Sequence, residues 1–268
     1  MKKILLSSIF GLILSTNAIA NTKCFLASEA GKLLKEEGEC KTRHAPCSTF
    51  KIAISLMGFD DGFLIDETHP ELPFQEGYDD WLEIWKQPHT PTTWIKNSNI
   101  WYSQVITQHL GMPKFKNYLS RLNYGNQDAS GDKGLENGLT HSWLSSSLQI
   151  SPEEQTIFLN GLVNSTLSVD QKAQEKTRNI LFVENFTDGW KLYGKTGSGY
   201  LLNEDGQQNK SKPMGWFVGW VEKGDRHIVF AHYIEDSERQ ETYSGPRAKE
   251  IAKEKLMEIL REDSTRLG

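Results

Sequence analysis

Cysteine, long apolar runs and an excess of positive charge are all scarce in this 268-residue chain. Three cysteines are too few for a fold stapled mainly by disulfides, which small secreted domains need and a chain of this length does not. A net charge of −5 argues against nucleic acid as a partner, since phosphate binding needs a basic face. After the first twenty residues no apolar run approaches the roughly 20 residues that a membrane helix requires, and no membrane anchor is expected. The seven histidines lack a His-x-x-x-His type of ligand spacing, which argues against a metallo-hydrolase. Repeats, low-complexity stretches and linkers are also missing. What remains, with 37% hydrophobic and 24% charged residues, is the composition of one soluble globular unit.

The N-terminus departs from that composition. Lys2-Lys3 form a basic n-region, Ile4 to Leu14 an apolar h-region, and Ala18-Ile19-Ala20 a small-residue cleavage site. Residues 1–20 are therefore expected to be a cleaved secretory signal, and 21–268 a single domain. The cleavage site does not put a cysteine first, so no lipid anchor is indicated. In an exported, periplasmic protein Cys24 and Cys40 can pair across a hairpin and leave Cys47 as a buried thiol; three free thiols are the alternative.

Strand signals lie at both ends and helix signals between them. A hairpin is expected from Lys23–Ala27 and Lys32–Lys35, turning through Glu29-Ala30-Gly31. The stretch from about Thr90 to Ile180 is helix-rich, with starts at Ser151-Pro152-Glu153-Glu154, a capping box, and at Ser168-Val169-Asp170-Gln171. From Gly189 the apolar period becomes two, giving strands at Trp190–Tyr193, Gly215–Val221 and His227–Tyr233, and a last helix runs from Pro246 to Arg261. Leu202–Pro213 reads as a polar loop. The fold expected is mixed α/β (α+β): an antiparallel sheet closed by the N-terminal hairpin and flanked by helices, with a helical subdomain.

Ser48-Thr49-Phe50-Lys51 opens an apolar run, Ile52 to Met57. Residues three apart share a helix face, so the Ser48 hydroxyl and the Lys51 amine converge. A serine hydroxyl needs a neighbouring proton acceptor to act as a nucleophile, and apolar surroundings disfavour the lysine ammonium. Lys195-Thr196-Gly197, at the end of the first late strand, offers a cation, a hydroxyl and backbone N–H groups to an anionic substrate. Ser103, in the apolar helical run Ile100–Ile106, adds a second hydroxyl. Each motif alone also fits an ordinary helix cap, strand end or satisfied helix serine. Gly189 to Thr196 matches Gly-x4-Gly-Lys-Thr, a phosphate-loop pattern, but Trp190–Tyr193 is a strand pattern and no helix opens after Gly197. Cys47 as a nucleophile lacks a histidine partner in any motif.

Together, Ser48-x-x-Lys51, Ser103-x-Val105, Tyr124-Gly125-Asn126, Trp143-Leu144, Leu148-x-Ile150-Ser151 and Lys195-Thr196-Gly197 resemble class D serine β-lactamases over essentially all of the mature chain. The resemblance implies an acyl-enzyme on Ser48 and hydrolysis of a small-molecule β-lactam, with no metal and no separate cofactor. It implies CO₂-derived carboxylation of Lys51 as the base, steadied by the Trp143 indole under an apolar lid of Val105 and Leu144. The oxyanion donors are expected to be the N–H groups of Ser48 and Ser198. Ser103 and Lys195 are expected to relay the proton, and Thr196 with Arg247 to hold the substrate carboxylate. The assembly is expected to be a monomer or dimer. The neighbouring alternative is a penicillin-binding transpeptidase or β-lactam sensor domain, which acylates without turnover; its usual marks are a retained membrane segment and extra domains, which the pattern does not supply.

Overall fold

Ala30 and Gly31, both with positive φ (48° and 78°), form the two-residue turn that folds the first strands onto each other. In this computed structural model, which describes residues 21–267, β1 is Asn21–Glu29 and β2 is Lys32–Gly38. The expected signal, 1–20, lies outside the described residues. Cys24 and Cys40 are disulfide-bonded, and Cys47 is a buried free thiol. Gly38 cannot carry a side chain, because a Cβ there would lie 2.1 Å from Lys23 O.

Helices fill the middle: α1 Lys51–Asp60, α2 Pro91–Asn97, α3 Ile100–Arg121, α4 Gly138–His141, α5 Pro152–Val163 and α6 Gln171–Ile180. The Ser151–Glu154 capping box opens α5 as expected, with Glu154 N donating to Ser151 Oγ and Ser151 N to Glu154 Oε2. The start read at Ser168 is two residues early. Asp170 caps α6, its Oδ1 accepting from Lys172 N and Ala173 N, because a carboxylate at that position reaches the orphan donors of the first turn. Within α3, Gly111 has φ 72° and Pro113 follows, so the helix is broken there.

Four strands follow: β3 Phe182–Asn185, β4 Lys191–Leu202, β5 Gln208–Lys223 and β6 Arg226–Glu235. They pair antiparallel with the first hairpin in the order β2-β1-β6-β5-β4-β3. The polar stretch expected as a loop is mostly strand, since only residues 203–207 separate β4 from β5. Asn203 and Gln207 close that turn with a 2.8 Å backbone bond.

Period-two alternation sends Phe217 and Val221 to one face of β5, and Trp216, Val218 and Trp220 to the other. The first face packs with Phe25, Ile228 and Phe230 against Ala248, Ala252 and Leu256 of α7, Ser244–Leu267. The second carries the larger core with α1, α3 and α5. Cover on both faces explains why β5 and β6 read as near-continuous apolar runs. Among the described residues, no helix is long and apolar enough to cross a membrane.

Candidate active site

Cys47 takes φ +50°, turning the chain so that Cys47–Phe50 forms one turn of 3₁₀-helix leading into α1. In a 3₁₀ turn residues i and i+3 eclipse, and Lys51 Nζ lies 3.2 Å from Ser48 Oγ. The turn is fastened from below: Thr49 Oγ1 donates to Pro46 O at 2.7 Å and accepts from the buried Gln155 Nε2 at 3.0 Å. Phe50 packs against Phe115, Tyr124 and Trp143, at ring distances of 6.0, 5.0 and 5.5 Å. That aromatic wall keeps water from the base of the site.

Lys51 is fully buried and Lys195 is 4% exposed, and neither amine bonds a carboxylate among the described residues. Burial disfavours the ammonium form. It pushes Lys195 down to about 7 and holds Lys51 well below the ordinary lysine range, with the Lys195 charge pushing Lys51 the same way. Burial thus favours the neutral amine of Lys51, the form able to accept a proton.

The opposite wall is the outer edge of β4. β3 covers only Lys191–Tyr193, leaving the edge open from Lys195 onward. Gly194 N donates to Leu181 O and Tyr200 N to Ser145 Oγ, both at 2.9 Å and both away from β5. Backbone directions repeat every second residue in a strand, so Ser198 presents its N–H on that same open edge. Lys195-Thr196-Gly197 therefore lies within the strand rather than at its end. Gly197 lets the edge press on the nucleophile turn, since a Cβ there would stand 2.9 Å from Pro46 O and 3.3 Å from Thr49 N.

Lys195 Nζ donates to Ser98 Oγ at 3.0 Å and to Thr196 O at 3.1 Å, with Thr196 Oγ1 at 3.4 Å. The hydroxyl that reaches the site is thus Ser98, not Ser103. Ser103 is fully buried in α3, where its Oγ accepts from the Trp94 indole at 2.9 Å and donates to Asn99 O at 3.3 Å. Ser98 was missed because its signal is a helix break: it caps α2 with φ 55°, and Asn99 then caps α3 by accepting from Tyr102 N. A polar triplet, Asn97-Ser98-Asn99, between two apolar helical runs marks that junction. Val105 and Leu144 are half-buried against the main core.

Trp143 is fully buried, and its indole N–H has no hydrogen-bond partner among the described residues. Tyr124-Gly125-Asn126 supports its segment: Asn126 Nδ2 donates to Ser147 O at 2.8 Å and Asn126 N to Gln149 O at 2.9 Å. The Ser198 side chain accepts from Gly245 N at 2.9 Å and ties β4 to the start of α7. Arg247 is ion-paired to the buried Asp236 carboxylate, which also accepts from Ser244 Oγ at 2.7 Å. Burial raises the Cys47 thiol to about 11, which disfavours the thiolate that a cysteine nucleophile needs. The phosphate-loop match runs from Gly189 into β4, which begins at Lys191, without the helix N-terminus such a loop requires.

The penicillin-binding protein transpeptidase domain model matches residues 16–257. β-Lactamase OXA-9 of Klebsiella pneumoniae is 39% identical over 262 residues, 93% of this chain and 95% of that protein. β-Lactamase OXA-1 of Escherichia coli is 40% identical over 85% of this chain and 82% of its own length. The crystal structure of OXA-427 class D β-lactamase superposes with a TM-score of 0.85 at 43% identity, covering 90% of this chain and 99% of that one.

Proposed function

The chain belongs to the class D serine β-lactamases, within the penicillin-binding protein transpeptidase family, and from that premise we propose how its own residues open and hydrolyse the β-lactam ring. The observation that carries the reading is the fully buried Lys51 amine standing 3.2 Å from the Ser48 hydroxyl, where burial favours its neutral form.

Ser48 Oγ bonds to the lactam carbonyl carbon as its proton leaves toward Lys51. The N–H groups of Ser48 and Ser198 take the charge that develops on the carbonyl oxygen; one such donor is typically worth about 10²- to 10³-fold in rate. The ring C–N bond then breaks, and Ser98 with Lys195 returns a proton to the nitrogen. Water adds to the Ser48 ester, giving up its proton on the Lys51 side, and the opened acid departs as Ser48 is restored. Thr196 and Arg247 hold the substrate carboxylate.

Only a neutral amine takes up CO₂, releasing a proton, so Lys51 is suited to carry a carboxyl group. The unpartnered Trp143 N–H is a donor for one of its oxygens. Such a group would supply a carboxylate base where the free amine now faces Ser48. With the relay hydroxyl at Ser98, the apolar residue two positions on is Ile100, 5% exposed, in place of Val105, and Leu144 stays as its companion. Residues 21–268 act as one catalytic domain, exported to the periplasm after loss of 1–20, and the Cys24–Cys40 bridge fits an oxidising compartment.

Intact-protein mass measurement after mixing with a penicillin tests the assignment. Lys51→Ala should leave any acyl adduct formed on Ser48 unhydrolysed, while the parent protein returns to its free mass. Full turnover by Lys51→Ala would remove Lys51 from the mechanism.

A further inference from the structure

Nothing in the sheet holds the open edge of β4 beside Ser198, because β3 stops pairing at Tyr193. What meets that edge is Ser145, from the segment that carries Trp143. Its hydroxyl accepts from Tyr200 N at 2.9 Å and lies 3.7 Å from Cys47 Sγ. Gly199 sits between the two, for a Cβ there would come within 2.4 Å of both Cys47 Sγ and Ser145 Oγ. The same segment grips Cys47 a second time, through Cys47 N donating to Trp143 O at 3.0 Å. Ser145 is 4% exposed and held at φ 53°, a conformation disfavoured for a residue with a side chain.

We propose that Ser145 is a positioning residue for the oxyanion hole, fixing the distance between the Ser48 and Ser198 N–H groups. Cys47 precedes Ser48 and Gly199 follows Ser198, so this one hydroxyl touches the chain immediately beside each donor. It accepts the Tyr200 N–H, which points the same way as that of Ser198, and can donate to the Cys47 sulfur, a weak acceptor. Without it the open edge loses its hydrogen bond at Tyr200, and β4 beside Ser198 is held from the other side alone, by β5 and by the Ser198–Gly245 bond. The donors then no longer meet the developing oxyanion together. The carboxylate contacts at Thr196 and Arg247 are untouched, so encounter binding stays as it was.

The proposal rests on the hydrolase reading, and the test separates the two. Ser145→Gly and Ser145→Ala both delete the hydroxyl, but glycine relieves the positive φ and alanine does not, so the two variants differ in stability and agree in chemistry. Rapid-mixing acylation by a chromogenic β-lactam should show the acylation rate constant falling about 10-fold in both, part of the 10²- to 10³-fold that a lost donor costs, with the initial dissociation constant unchanged. Melting temperatures should differ between them, glycine being the higher. Unchanged acylation in Ser145→Gly, or acylation that follows melting temperature instead of the hydroxyl, overturns the positioning role. Absence of turnover by the parent protein would overturn the hydrolase reading and not this one, since acylation is read directly.

Discussion

The Lys195 amine donates to the Ser98 hydroxyl across 3.0 Å, joining an open strand edge to the break between α2 and α3. Ser98 thereby stands where a proton can pass between Lys195 and the substrate. Ser98→Ala should lower the acylation rate constant by about 10²-fold, the lower range for a lost proton-transfer group. Ser103→Ala should leave acylation nearly intact and cost about 1–3 kcal/mol of stability, because the buried Trp94 indole N–H loses its acceptor. The reverse pattern in single-turnover kinetics would return the relay to Ser103.

Lys195 is also a source of pH dependence. Its folded-state value, about 7, lies below the ordinary 10.5, so between these values the unfolded chain binds more protons than the native one. Stability therefore rises with pH across that window, by up to about 1.4 kcal/mol per unit for one group. Lys195→Met has nothing to titrate there. The wild-type stability minus that of the variant, from urea unfolding at pH 7 to 10, should climb; a flat difference would mean that Lys195 keeps an ordinary affinity for its proton.

Arg247 is paired with Asp236, so under the proposed role its guanidinium would have to turn toward the substrate. Hydrogen bonds to charged groups contribute about 1.5–3 kcal/mol, so Arg247→Ala should raise KM roughly 10- to 100-fold for substrates bearing the carboxylate, with kcat changed far less. Esterifying that carboxylate should erase the difference between variant and parent, and a KM equally affected for ester and acid would place the carboxylate elsewhere.

The Cys24–Cys40 bridge closes a loop with a sequence separation of 16. Cys24→Ala with Cys40→Ala should lower stability by about 2–4 kcal/mol, while kcat at 20 °C stays near that of the parent. A change in kcat without one in melting temperature would contradict a purely structural bridge.

The strands, the hairpin and the Ser48–Lys51 pair were legible because they rest on local rules: period two, a two-residue turn, and i to i+3 proximity. Lys195-Thr196-Gly197 was recognised but placed at a strand end. The strand runs on past it because Gly197 and Gly199 let β4 lie against Pro46, Cys47 and Ser145. Ser98 was lost to Ser103 because an apolar helical face looks like a wall for a site, while the hydroxyl that reaches Lys195 sits at a left-handed helix end. Ser145 carries no motif at all. Its two contacts join residues 98 and 55 positions away, which only the folded chain brings together.

The most direct test of Lys51 as base for both steps is hydrolysis of a chromogenic β-lactam by residues 21–268, with dissolved CO₂ removed and then with bicarbonate restored. Sustained turnover that falls on removal and returns with bicarbonate is the expected result. A single stoichiometric burst that bicarbonate does not extend would contradict it, and would leave Ser48 as the nucleophile of a protein that acylates without turning over.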